Sequence, residues 1–146
     1  MLKFIDIPPV WALLVAIIAW VVAAYVPLFS VQIPMFAYLV SGGLGFALAG
    51  WSAIWFLRKK TTIEPRHVPT TLIVEGPFRI NRNPIYTGMM LILLGFSFWL
   101  GDLVAMLPVM VFPILITSRF IIDEETQLRK TFGTEAENYI NKTRRW

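Results

Sequence analysis

The sequence predicts an all-α integral membrane protein in which four transmembrane helices carry a cytoplasmic loop and a C-terminal amphipathic helix. The 146 residues are 57% hydrophobic, with a mean hydropathy of +0.66, which is high for a soluble domain. Four apolar segments have about the length that crosses a bilayer as a helix. The basic residues all fall on one side of the resulting topology. A chain of this length is expected to form a single domain over residues 1–146.

The predicted spans are 10–26, 35–57, 85–100 and 103–122. A helix crosses the hydrocarbon core with about 20 apolar residues, so the third span is slightly short. The fourth contains Pro108 and Pro113, which we expect to bend it. Gly101 and Asp102 leave room only for a tight hairpin between the third and fourth spans.

The charge distribution fixes the predicted orientation. Placing the N-terminus in the cytoplasm puts all 13 lysines and arginines on the cytoplasmic side, as the positive-inside rule requires. The C-terminus is then cytoplasmic as well, and the short inner loops are compatible with a prokaryotic plasma membrane. Topology and anionic lipid explain the basic charge, so we expect membrane lipid as a partner and no nucleic acid.

The composition also limits the chemistry. The chain has no cysteine, which excludes disulfides, thiolate metal sites and a cysteine nucleophile. It has one histidine, His67, so we expect no metal site, and His67 is a candidate proton acceptor only. Chemistry must therefore come from the cytoplasmic loop, residues 58–84, the tail, residues 123–146, and the helix ends beneath them.

The loop ends in a polar, turn-rich stretch, EGPFRINRNPIYTG, at residues 75–88. The preceding residues 70–74 suit a short strand or an extended strip, and Glu75-Gly76-Pro77 predicts a turn. Asn83 and Pro84 suit the N-cap and first position of the third helix. This helix start, with two arginines nearby, would suit a carboxylate or phosphate. A capped helix whose arginines reach lipid headgroups explains the same residues.

Other residues have both a structural and a functional interpretation. Tyr86 is either an interfacial aromatic or a hydroxyl partner in a pocket. The glycines of the second span, spaced near one helical turn, predict close helix packing, with a ligand near the backbone as the alternative. These glycines are Gly42, Gly43, Gly45 and Gly50.

Charged residues cluster where the fourth span leaves the bilayer, at Arg119 and at Asp123-Glu124-Glu125. Arg119 and Asp123 are four residues apart and can pair on a helix. Charges at this depth are costly unless they are paired or functional. In the functional interpretation a glutamate accepts hydrogen bonds from a polar ligand, while Arg119 meets an anionic one.

The tail predicts an amphipathic helix, because Leu128, Phe132, Ala136 and Ile140 recur every four residues among polar ones. Gly133 is a candidate break in this helix. A helix of this kind lies on the membrane surface.

Three sequence blocks, within about Thr61 to Trp146, resemble the isoprenylcysteine carboxyl methyltransferase family, which is akin to the phospholipid methyltransferases. The first is TTLI at 70–73 leading into GPF at 76–78. The second is RNPIY at 82–86 with Gly88. The third is Glu124-Glu125 followed by Leu128, Phe132-Gly133 and Tyr139.

The resemblance implies S-adenosylmethionine as methyl donor, bound by the loop, the start of the third span and the C-terminal segment. The implied cofactor-binding residues are Thr70, Thr71, Leu72, Ile73, Phe78, Asn83, Pro84, Ile85, Tyr86, Glu124 and Glu125. Arg119 and Glu124 are the implied catalytic residues, and Gly43-Leu44-Gly45 could match a G-x-G of the lipid-methylating relatives. The prenylcysteine enzymes commonly have R-H-P where this chain has Arg82-Asn83-Pro84, and asparagine cannot titrate.

The sequence thus predicts methyl transfer to a lipophilic acceptor at the cytoplasmic membrane surface, with the carboxylate of a prenylated cysteine-like compound as one candidate. A carboxylate needs no base and could be held by Arg119. An amine or thiol must lose a proton, to Glu124 or His67. The main alternative is a non-enzymatic four-helix protein that binds lipid or assists assembly. A transporter is disfavoured because no ionisable residue lies near mid-bilayer.

Overall fold

The computed structural model describes residues 6–61 and 68–146, and these ranges contain helices but no β-strand. His67 lies outside the described residues. The helices are α1 (Pro8–Tyr25), α2 (Met35–Lys59), α3 (Pro84–Leu100), α4 (Met106–Ile116), α5 (Ile122–Phe132) and α6 (Thr134–Lys142). Three helical segments are long and apolar enough to cross a membrane, and these are Pro8–Tyr25, Met35–Lys59 and Met106–Phe132. The 17-residue α3 is shorter.

Local sequence signals set most helix ends. Prolines occupy the first positions of α1 and α3, where the missing N–H is not needed. Gly101 adopts a left-handed conformation (φ +66°) at the end of α3. Gly133 (φ +52°) separates α5 from α6, as predicted. Residues 70–74 form no strand, since Thr70 and Thr71 lie in a bend and residues 72–74 have no regular secondary structure; the strand alternative is wrong.

The fourth span differs most from its prediction. One continuous helical segment, Met106–Phe132, runs ten residues beyond the predicted end at Ile122. It passes through a π-helical turn at Thr117–Ile121, four residues after the internal Pro113. Tertiary packing maintains this helix, because Phe120 and Ile121 within the π turn are fully buried. The acidic residues 123–125 therefore lie on the same rigid helix as the apolar core.

Glycines bring α2 and α3 into backbone contact. A Cβ atom placed on Gly45 would lie 2.6 Å from the carbonyl oxygen of Gly88, and one on Gly88 would lie 2.7 Å from the carbonyl oxygen of Gly45. Gly95 approaches the backbone of Gly42 in the same way. The packing interpretation is thus confirmed at Gly45, whereas a Cβ atom on Gly42, Gly43 or Gly50 would have no heavy atom within 4 Å.

A buried aspartate joins the α1–α2 connection to the α3–α4 connection. Asp102 accepts hydrogen bonds from the backbone N–H groups of Val104 and Ala105 through one oxygen and from that of Phe29 through the other. The hairpin between α3 and α4 is therefore joined to the connection between α1 and α2. Helix α1 packs against α3 and α4, and α2 packs against α3.

The C-terminal segment returns to the loop through one buried carboxylate. Glu125, only 6% exposed, accepts a hydrogen bond from Arg82 at 2.9 Å and two from Arg145 at 2.9 and 2.8 Å. Tyr139 of α6 donates a hydrogen bond to the carbonyl oxygen of Phe78 at 2.7 Å. Burial raises the pKa of the Tyr139 hydroxyl, which keeps it a neutral donor.

We expect Gly45→Ala to destabilise the protein by about 1–3 kcal/mol, because the added methyl group forces two backbones apart. Gly43→Ala on the same helix is the control, and it should be neutral or stabilising by up to about 1 kcal/mol, because alanine is the better helix former. Unfolding by sodium dodecyl sulfate in mixed micelles measures both. Equal stability of the two variants would contradict the close contact.

We expect Glu125→Gln to destabilise the protein by roughly 3 kcal/mol, because it leaves two arginines beside a buried site without their counter-charge. Glu137→Gln is the matched control. Glu137 pairs with Arg129 at 2.7 Å, but both side chains are more than 40% exposed, so the loss should stay below about 1 kcal/mol. The same unfolding titration separates the two outcomes.

Candidate active site

Two adjoining cavities open where the loop, the start of α3 and the helix α5 meet. The larger has a volume of about 330 Å³ and the smaller about 130 Å³. They share one wall, which is formed by Phe56, Phe78, Arg82, Asn83 and Glu124. The shared wall combines aromatic rings with charged and amide groups, so a ligand lying across it meets both kinds of surface.

The larger cavity is mostly apolar. Beyond the shared wall it is lined by Ile7, Pro8, Pro9, Pro84, Ile85, Tyr86 and Met89. Its floor is the first turn of α3 and its side is the start of α1. Phe56, near the C-terminal end of α2, closes the other side. Such a surface suits a hydrocarbon group, with Glu124 and Arg82 as the charged residues of the lining.

The smaller cavity lies between the loop and the tail. Beyond the shared wall it is lined by Pro69, Leu72, Ile73, Glu125, Gln127, Leu128 and Tyr139. Leu72, Ile73, Phe78 and Tyr139 form a small apolar cluster of their own. This cluster packs Leu72 and Ile73 of the loop against Tyr139 of α6. The cavity therefore has apolar sides, and its polar side chains include those of α5.

A short hydrogen bond crosses from α3 to α5 at the shared wall. The Tyr86 hydroxyl donates to Glu124 Oε1 at 2.6 Å. Tyr86 lies in the first turn of α3 and is buried. Phe56 and Phe78 meet edge to face beside it, with ring centroids 5.5 Å apart and planes at 83°. These contacts hold a carboxylate at a fixed place between the two cavities.

Arg82 is held by the protein rather than free in the cavity. Its guanidinium donates to Glu125 and to the carbonyl oxygen of Ile140, and its backbone N–H donates to the carbonyl oxygen of Arg144 at 2.8 Å. Its buried Nε has no hydrogen-bond partner among the described residues. Arg82 is therefore paired with Glu125, which also pairs with Arg145, and Glu124 is the carboxylate of the shared wall.

Asn83 differs from the prediction in detail. It occupies the N-cap position of α3, but its side chain makes no capping hydrogen bond. The side-chain amide instead donates to the carbonyl oxygen of Arg145 at 2.9 Å, because the C-terminal segment passes directly over the start of α3. The backbone carbonyl of Asn83 accepts from the Thr87 N–H in the first turn.

The structure brings together most of the predicted site residues. Those that line the cavities are Leu72, Ile73, Phe78, Asn83, Pro84, Ile85, Tyr86, Glu124 and Glu125. Thr70 and Thr71 are outside the lining of both cavities. The backbone N–H of the exposed Thr70 donates to the Thr61 hydroxyl oxygen at 3.2 Å.

Arg119 lines neither cavity and contacts the residues at the start of α1 instead. Its Nε donates to Asp6 Oδ1 at 2.7 Å, and its guanidinium lies 4.7 Å above the ring of Trp11. The predicted pair of Arg119 with Asp123 was based on helical spacing alone. Helical spacing cannot indicate a contact with Asp6, which is 113 residues away in the sequence.

Several lining residues were missed by the sequence analysis. Met89 lies one turn beyond Tyr86, and Gln127 and Leu128 lie one turn beyond Glu124, so helical spacing could have found them. Phe56 and the start of α1 carried no comparable signal, since nothing local indicates that these helix ends meet. Among the described residues, no group of three or more carboxylate and imidazole side chains could hold a metal ion.

Comparison with known proteins identifies the family of this chain. A sequence model described as phospholipid methyltransferase matches residues 35–135, which include α2, the loop and most of the lining residues. An uncharacterized protein of Haemophilus influenzae is 42% identical over 62 residues, which are 42% of this chain and 98% of that protein. No solved structure matches. With its three long apolar helices, the chain is an integral membrane protein that belongs to the phospholipid methyltransferase family.

Proposed function

We propose that this protein transfers a methyl group from S-adenosylmethionine to a lipophilic acceptor at the cytoplasmic surface of a membrane. The observation that carries the proposal is the pair of adjoining cavities with Glu124 in their shared wall. One cavity is apolar and borders the helices, and the other borders the polar loop and tail. A water-soluble donor and a lipid acceptor need such a pair of neighbouring sites.

The smaller cavity fits the adenosyl part of the donor. Leu72, Ile73 and Phe78 offer apolar contact for a purine ring, and the polar groups of α5 face the same space. The carboxylate of Glu124 would accept hydrogen bonds from donor hydroxyl or amino groups and attract its positive charge. Tyr86 holds that carboxylate in place. We propose that the donor extends across the shared wall, where its methyl group would face the larger cavity.

The residues would act mainly by alignment. When bound, S-adenosylmethionine supplies an electrophilic methyl group on a sulfonium, and S-adenosylhomocysteine is the product. Methyl transfer needs in-line approach, so the rigid attachment of α5 to α3 through Tyr86 and Glu124 would contribute by orientation. The apolar lining of the larger cavity would exclude water from the reacting groups.

The acceptor's chemistry decides whether a base is needed. A carboxylate acceptor attacks as it stands, whereas an amine or thiol must give up a proton. Glu124 is the carboxylate in the shared wall and our candidate to receive it. The predicted catalytic role of Arg119, as the residue that holds an acceptor carboxylate, stays a prediction, because Arg119 contacts Asp6 and Trp11. The prenylated cysteine-like acceptor likewise stays one candidate.

We further propose that α3 is a fourth span and that both termini face the cytoplasm of a prokaryotic cell. At 1.5 Å per residue, the 17 residues of α3 span roughly 26 Å, slightly less than the hydrocarbon core of a bilayer. Glycine contacts hold α3 against the longer α2. The lysines and arginines remain on one side in this topology.

We expect Glu124→Gln to weaken binding of S-adenosylhomocysteine by at least about tenfold, because a hydrogen bond to a charged acceptor is lost. Tyr86→Phe should weaken it by only about two- to tenfold, as it removes a neutral donor that holds Glu124. Isothermal titration calorimetry of the detergent-purified protein measures both affinities.

Glu135→Gln is the matched control for this titration. It removes the same charge from an exposed position of α6 that lines neither cavity, and it should bind as the unaltered protein does. Absence of saturable binding to the unaltered protein, in several detergents, would contradict the donor assignment and favour a lipid-binding membrane protein.

Methyl-labelled donor should place its label in the organic extract of membranes that contain the protein. Mild alkaline hydrolysis then identifies the acceptor. Methyl esters release their label as methanol, whereas N-methyl and S-methyl groups keep it. Glu124→Gln should lower either kind of product, because it weakens donor binding. Label that stays in the aqueous phase would exclude a lipophilic acceptor.

A further inference from the structure

The start of α1 forms a wall of the larger cavity that nothing in the sequence blocks suggested. Ile7, Pro8 and Pro9 line the cavity. They lie before residue 35, outside the segment that matches the family. The two prolines present rigid apolar rings and, at the first turn of a helix, give up N–H groups that would otherwise need a partner. The wall is therefore wholly apolar.

One polar cluster ties this wall to the helix that carries Glu124. Asp6 Oδ1 accepts hydrogen bonds from Arg119 Nε at 2.7 Å and from Trp11 Nε1 at 2.9 Å. The guanidinium of Arg119 lies 4.7 Å above the Trp11 ring. The three side chains thus close a triangle in which each contacts the other two. Asp6 directly precedes the wall residues, so its position constrains theirs.

Arg119 connects this triangle to the helical segment that also carries Glu124. Arg119 lies in the π-helical turn of the segment Met106–Phe132, next to the fully buried Phe120 and Ile121. Glu124 follows five residues later on the same continuous helix. From residue 8 to residue 25, α1 carries no charged residue, so Asp6 supplies the charged contact between the start of α1 and this helix.

We propose that Asp6 is a positioning residue that, through Arg119, holds Pro8 and Pro9 in place as the wall against which the acceptor's hydrocarbon chain lies. The acceptor part of this statement rests on the proposed function. The positioning part stands on the triangle alone. The start of α1 would then influence which acceptors fit, without contributing to the binding of the donor.

The absence of cysteine from the sequence allows a direct test by single-cysteine labelling. Pro8 is buried, so Pro8→Cys should react slowly with N-ethylmaleimide in detergent micelles. Adding Asp6→Asn should speed the reaction by about tenfold or more, because loss of one charge-assisted hydrogen bond favours local opening by that factor. Arg119→Gln should act in the same way. An unchanged rate in both backgrounds would overturn the positioning role.

Two controls separate local opening from general unfolding. Leu13→Cys, at a site on α1 that is 61% exposed, should react at the same rate with and without Asp6→Asn. The charge exchange Asp6→Arg with Arg119→Asp should restore slow labelling of Pro8→Cys. Failure of the exchange to slow the reaction, with Leu13→Cys unaffected, would show that the ion pair does not hold the wall.

A photoactivatable phospholipid with a diazirine at the end of one acyl chain tests the acceptor part. In the unaltered protein we expect adducts on residues 7–9 and on Met89. Asp6→Asn should reduce the adducts on residues 7–9 relative to those on the exposed Phe46 of α2. The proposal that the acceptor chain lies against residues 7–9 would be overturned if these residues are labelled no more strongly than other exposed positions. The affinity of the Asp6→Asn variant for S-adenosylhomocysteine should equal that of the unaltered protein. The labelling experiments need no methyl donor, so their outcome is independent of donor binding.

Discussion

The buried carboxylate of Glu125 is the interaction on which the candidate site depends. It joins Arg82, at the end of the loop, to Arg145, at the end of the C-terminal segment. A carboxylate this deeply buried is stable only because its charge is matched and its oxygens accept hydrogen bonds. The hydrogen bonds of Glu125 therefore hold α5, the end of the loop and the C-terminal segment together. The loop, α5 and the tail then enclose a space that none of them could form alone.

Glu124 and Glu125 are adjacent on α5 but contact different parts of the protein. Successive residues on a helix point about 100° apart, so Glu124 and Glu125 face different surroundings. Glu125 satisfies the arginines, and Glu124 meets Tyr86 at the shared wall of the two cavities. Glu125 thus joins the loop to the C-terminal segment, whereas Glu124 joins α5 to α3 beside the cavities.

Helix packing in the apolar part of the molecule also shapes the site. The backbone contact of Gly45 with Gly88 sets the distance between α2 and α3. That distance determines where the C-terminal end of α2 places Phe56, which meets Phe78 of the loop edge to face. In a bilayer, where apolar surface gives little drive to association, small residues are what allow such close approach. The position of Phe56 in the shared wall therefore depends on two glycines that line neither cavity.

The sequence by itself determined the helical class, the apolar segments, several helix ends and about half of the lining residues, because hydrophobic length, proline and glycine signals and short motifs act over a few residues. Only the tertiary structure decided which distant groups meet. In the folded protein Arg119 pairs with Asp6, and the Asn83 amide donates to the carbonyl oxygen of Arg145. Phe56 and Pro8 line the same cavity. The fourth helix also continues past its predicted end. These outcomes depend on contacts between residues far apart in the chain, and no local pattern encodes such pairs.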